Sequence, residues 1–175
     1  MKMLTRSAAA LLGAALLAVP ATAQDITKEF AKFYTAIDLG SIPGVPTPYG
    51  GLTVKDDDPD ILLIGGSANN QNGAIYAVPL ERGCFGQITG FAGEPTLFAT
   101  APRIDGGLAY GPDGILFFTT YSDNRLGQLL PGSTEPDTFL NLSDFGVAAS
   151  VGTLQFVPEG FPGAGQLKIA SFNTS

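Results

Sequence analysis

From residue 33 onward, apolar positions fall in short runs of four to seven residues, each bounded by Gly, Pro, Asp or Asn. No window of ten or more residues repeats them at helical spacing. This is the pattern of strands joined by tight turns. The runs also recur in order. Gly51-Leu52-Thr53-Val54 leads through an acidic turn, Asp56-Asp57-Asp58-Pro59-Asp60, to Ile61-Leu62-Leu63-Ile64, an Asn-rich loop (67–73) and the run 74–78. The order returns as Gly107-Leu108-Ala109-Tyr110, the turn Gly111-Pro112-Asp113-Gly114, Ile115-Leu116-Phe117-Phe118, the loop 121–126 and the run 127–130. A third copy opens at Gly152, runs to Phe156, turns through Pro158-Glu159-Gly160 and enters 167–172. Similar fourth segments stand between the copies at 94–99 and 135–140. The opening glycines lie 56 and 45 residues apart.

Four short strands per unit of that length predict an all-β chain of β-propeller-type four-stranded antiparallel blades. Two copies are complete and others are present in part, so the expectation is a partial or open propeller. The blades are placed at about 49–100, 105–145 and an incomplete 150–175. Residues 24–48 form an N-terminal segment, with a short helical turn at 25–32 and a candidate closing strand at 33–39. The chain ends two strands into its third copy, fewer blades than a closed ring contains. It therefore reads as a portion of a longer propeller. If it is complete, its open edge strands invite self-association. The reason for stacking is physical, because one blade cannot bury both of its faces. Unbroken apolar runs such as 61–64 and 115–118 suit strands covered on both sides. A glycine at the start of each innermost strand allows close approach.

The first 23 residues predict a cleaved leader. Lys2 and Arg6 precede an apolar run from Ala8 to Val19, and Ala21-Thr22-Ala23 fits a small-x-small cleavage site before Gln24. Twelve apolar residues span about 18 Å as a helix, too short for a bilayer. The expectation is an exported chain, periplasmic or extracellular, carried by a bacterial Sec-type signal and free of the membrane after cleavage. Cys84 has no second cysteine to pair with. It reads as a small buried hydrophobe in the turn around Gly83–Gly86.

Composition narrows the chemistry. Nine Lys+Arg against sixteen Asp+Glu give a charge of −7, and loss of Lys2 and Arg6 with the leader makes it −9. So acidic a chain has little to neutralise phosphates, which argues against nucleic acid as a partner. The sequence holds no histidine. That removes Ser-His-Asp and Cys-His catalysis and His-ligated zinc. Neither a Gly-x-Ser-x-Gly elbow nor a phosphate-cradling Gly-x-x-x-x-Gly-Lys is present.

Two groups of residues remain as candidate sites. Asp56, Asp57, Asp58 and Asp60 offer hard oxygen ligands suited to Ca²⁺, or form a solvated turn; no EF-hand alignment works. The corresponding loops supply Asn69, Asn70 and Asn72, then Tyr121, Asp123, Asn124 and Arg125, with Asn173 beginning the third set. On one face of stacked blades these amide, carboxylate and guanidinium groups suit a small polar ligand or a protein partner. Asn and Asp are equally the residues that turns prefer.

The run from Gly107 to Phe118 with Asp123-Asn124-Arg125-Leu126 resembles an NHL-type repeat. It is also similar to blades of the gluconolactonase and senescence-marker-protein group of six-bladed propellers. The resemblance covers about residues 50–175 and departs at Thr120, where those repeats carry an acidic residue, and at Gln71, which stands where the second copy has Arg125. In that group a central divalent cation held by Glu, Asn and Asp activates water or polarises a lactone carbonyl. The resemblance thus implies a metal-dependent, lactonase-like hydrolase as the alternative to a binding or scaffolding module. No Glu opens the first innermost strand, so its ligands do not map onto this chain.

Overall fold

The computed structural model describes residues 26–149 and 151–173; the predicted leader lies outside them. Eleven strands follow in chain order: β1 (Leu52–Lys55), β2 (Asp58–Gly66), β3 (Ala74–Arg82), β4 (Ile88–Phe91), β5 (Thr96–Thr100), β6 (Ile104–Tyr110), β7 (Leu116–Thr120), β8 (Arg125–Leu129), β9 (Thr138–Asn141), β10 (Val151–Phe156) and β11 (Leu167–Ser171). Among the described residues the only helical segments are two short 3-10 turns. The fold is all-β, and every strand pairing is antiparallel. The described residues form no closed ring.

The chain divides into two units at Gly40. In the first, residues 28–33 form hydrogen-bonded turns, with Phe30 and Ala31 N–H both donating to Thr27 C=O. Residues 33–39 carry no strand. The expected closing strand is therefore not formed. Most of its side chains, including Phe33, Tyr34 and Ile37, are exposed, so no burial repays the ordering of the backbone.

The second unit holds three sheets. The second is a four-stranded meander, β6-β7-β8-β9, and the third pairs β10 with β11. The first runs β1-β2-β3, after which β3 gives one end of its outer edge to β5 and the other to β4. The predicted fourth segments are thus β5 and β9, and the β3–β4 hairpin is an insertion. The changeover falls at Val78–Pro79, where proline has no N–H to continue a ladder. The acidic turn is also tighter than its sequence implies. Only Asp56-Asp57 turn, and Asp58 already pairs opposite Lys55. Cys84 is exposed at the tip of the β3–β4 hairpin, which corrects the expectation of a buried thiol. The hairpin projects from the sheet and gives the thiol nothing to pack against; the neighbouring Phe85 is 93% exposed.

The central strands are covered on both faces, as their unbroken apolar runs predict. In β7, Leu116 and Phe118 join one core cluster and Phe117 another, the two-residue alternation of an extended strand. The first cluster joins sheets one and two through Leu63, Ile75, Ile104, Leu116, Phe118 and Leu129. Each such burial is worth about 1.5–3 kcal/mol. The second joins Phe117, Leu126 and Leu142 to Val151 and Leu154 of sheet three. A third covers the other face of sheet one with Ile42 and Val45.

Glycines set how closely the sheets approach. A Cβ on Gly51 would lie 2.6 Å from both the Gly107 carbonyl carbon and the Leu108 nitrogen, and one on Gly106 would lie 2.3 Å from the Gly152 oxygen. Gly51 N–H donates to Asp105 C=O at 2.7 Å. The first strands of all three sheets therefore meet along one seam, and at Gly51, Gly106 and Gly107 a side chain has no room in it.

Candidate functional site

The sequence-predicted loop residues lie at one end of the sheets, in the β2–β3 connection (67–73) and the β7–β8 connection (121–124). The segment before β6 links them. Arg103 N–H donates to Asn70 C=O at 2.8 Å, Asn69 N–H to Ile104 C=O at 2.9 Å, and Tyr121 N–H to Arg103 C=O at 3.0 Å. Most of the polar side chains serve the loops themselves. Asn70 Nδ2 donates to Ala68 C=O at 2.9 Å. Asn69 and Asn124 have φ of +66° and +48°, the left-handed region that asparagine tolerates best among non-glycine residues. Asn124 is 6% exposed, and its Nδ2 donates to Ser143 Oγ and Val147 C=O, both at 3.0 Å. Arg125 is ion-paired with Asp123 and lies 4.2 Å over the Phe139 ring.

Thr120 donates its hydroxyl to Asp123 Oδ1 at 2.6 Å and accepts from Arg125 N–H at 3.1 Å. Thr120 and Arg125 hold the Asp123 carboxyl below the usual carboxylate range, against a desolvation effect that raises it. Asn72 and Tyr121 are exposed. Asn173 follows β11 in the third sheet, and no hydrogen bond ties it to either loop among the described residues.

The four clustered aspartates do not converge. Asp57 pairs with Lys55, which holds it below the usual carboxylate range. Asp60 Oδ1 accepts from Arg82 Nε at 2.8 Å, and Asp58 Oδ1 accepts from Asp60 N–H at 3.0 Å. Asp56 turns toward the second sheet, where its Oδ2 would sit 3.4 Å from a Cβ on Gly114. Among the described residues no three acidic, His or Cys side chains stand together as a metal site.

The opposite end of the sheets holds a feature the sequence did not announce. A cleft of about 410 Å³ opens between sheets one and two, beside the β1–β2 and β6–β7 turns and the β8–β9 connection. Its floor is apolar, with Leu116 and Leu129 from the core and Phe98 and Tyr110 at their edge. Lys55, Asp56 and Asp57 form one rim and residues 130–134 the other. The second rim is anchored twice. Thr100 N–H donates to Thr134 C=O at 2.9 Å. Asp137 accepts from Leu130 N–H at 2.8 Å and from the Ser133 side chain, and these bonds hold its carboxyl below the ordinary range.

No protein-family model, curated protein or solved structure matches this chain. The site therefore has to be read from its own atoms.

Burial first, then the negative charges of Asp56 and Asp57, push the Tyr110 hydroxyl up to about 12 from its ordinary value of 10.0. The fold therefore favours the neutral phenol. That contribution is complete below pH 10 and is lost as the pH rises toward about 12. Tyr110→Phe is expected to flatten the fall in unfolding free energy across that window, and to remove one late step from a tyrosinate absorbance titration. Loss of a step near the ordinary value of 10.0 instead would place the Tyr110 hydroxyl in solvent.

Proposed function

We propose that this chain is an exported binding module built of β-propeller-type blades, with the cleft between its first two sheets as the ligand site. The cleft carries the reading. Its volume lies within the roughly 300–1,000 Å³ of small-molecule pockets, and it combines an apolar floor with a few polar groups at the rim. The propeller assignment draws on two sheets that repeat one strand order and on the glycine seam joining three sheets in series. The lactonase-like alternative has no comparable support, since among the described residues no three acidic, His or Cys side chains stand together to hold a metal.

A thermal-shift screen of uncharged, cationic and anionic small molecules tests the site. A ligand at a hundred times its Kd stabilises the folded state by about 2.7 kcal/mol. Hits are expected to raise the Tm of the wild type and of Asn72→Trp, at the opposite end, and to lose their effect on Thr134→Trp, which fills the cleft mouth. Hits that stabilise Thr134→Trp fully and fail on Asn72→Trp would move the site to the loop end.

A further inference from the structure

We infer that the cleft selects an organic cation with an apolar, preferably aromatic, body, and that Asp56 supplies the charge recognition. The inference rests on the cleft being the ligand site. Three charged side chains line it, and two of them, Lys55 and Asp57, neutralise each other. Asp56 has no salt-bridge partner among the described residues, so the rim carries one uncompensated negative charge directly above the apolar floor. Its carboxylate is exposed at the cleft rim and lies close against Gly114 of the β6–β7 turn. An anion would enter against this charge and against the acidic chain as a whole. A neutral ligand would fill the floor and leave the Asp56 charge without a counter-charge. An ammonium on an apolar stem satisfies both parts. Phe98 and Tyr110 add aromatic faces that attract cations, worth about 0.5–1 kcal/mol at a partly exposed site. The elevated Tyr110 hydroxyl agrees with this charge balance, because Asp56 and Asp57 both contribute to its shift.

Three probes sharing one ring and differing in charge test the inference: 2-phenylethylammonium, 2-phenylethanol and phenylacetate, each titrated calorimetrically into the purified protein. An exposed ion pair and a cation–π contact together predict that the ammonium binds about tenfold tighter than the alcohol. Phenylacetate should bind most weakly, and added salt should narrow the differences. Asp56→Asn is expected to lower ammonium affinity about two- to fivefold and leave the alcohol unchanged. Asp113→Asn removes the same charge from the exposed β6–β7 turn without touching the cleft lining, and is expected to change nothing. Circular dichroism checks that both variants fold. Equal binding of the three probes, insensitive to Asp56→Asn and abolished by Thr134→Trp, would overturn the charge selection and leave the cleft as the site. Binding that Thr134→Trp does not affect would overturn both.

Discussion

Phe118→Ala is expected to lower the free energy of unfolding by about 3–5 kcal/mol, the usual cost of emptying a buried phenylalanine site. Against a total of about 5–15 kcal/mol for a typical domain, that leaves little or no folded margin. Phe118 is fully buried in the cluster joining the first two sheets and meets Phe139 edge to face, with ring centroids 5.9 Å apart. Its cross-strand partner is Gly127, where a Cβ would sit 2.3 Å from the ring. The glycine is the space that the ring occupies. Gly127→Ala alone should therefore cost about 1–3 kcal/mol by overpacking. In the Phe118→Ala background it should cost much less, because the atom it strikes is gone. Chemical denaturation of the two single variants and the double variant measures this coupling, and strict additivity would show that the ring does not lie over Gly127.

Gly51→Ala is the second large effect, at about 3 kcal/mol, the upper end for an added methyl group in a packed interior. The new Cβ meets main-chain atoms of Gly106, Gly107 and Leu108, which cannot swing aside as a side-chain tip would. The sheets must separate, with loss of the Gly51-to-Asp105 hydrogen bond. Gly152 opens the third copy and looks equivalent in sequence, yet nothing lies within 4 Å of its Cβ position. Gly152→Ala is expected to be neutral or stabilising by a few tenths of a kcal/mol, through reduced entropy of the unfolded chain. Equal penalties at the two positions would mean that glycine there serves the backbone rather than the seam between sheets.

Much of this fold was legible because runs such as 61–64 and 115–118 are apolar at every position, as strands covered on both faces require. Two of the opening glycines, Gly51 and Gly107, were legible for a similar reason, since they stand where side chains have no room. The β4 hairpin was hidden: its four residues, Ile88 to Phe91, include a glycine and make a weak strand signal, and the exchange of partners at Pro79 is a tertiary event. The closing strand failed on the reverse ground, because residues 33–39 have strand-like composition but no partner edge. At the loops, asparagine at 69, 70 and 124 reported turns correctly but gave no sign that Asn70 spends its amide on neighbouring backbone and Asn124 on Ser143 and Val147. The cleft escaped notice because its walls come from opposite ends of the chain's first two repeats. Asp56 and Ser133 share no local pattern, and only sheet stacking places them on one opening.

The most direct measurement is amide chemical-shift mapping of the isotopically labelled protein against the strongest ligands from the mixed-charge screen. Ligands in the cleft should shift the amides of Asp56, Asp57, Gly114 and residues 132–134, and leave 69–73 and 121–125 in place. Shifts confined to those two loops, with the cleft amides unmoved, would contradict the account and return the ligand site to the asparagine-rich end of the sheets.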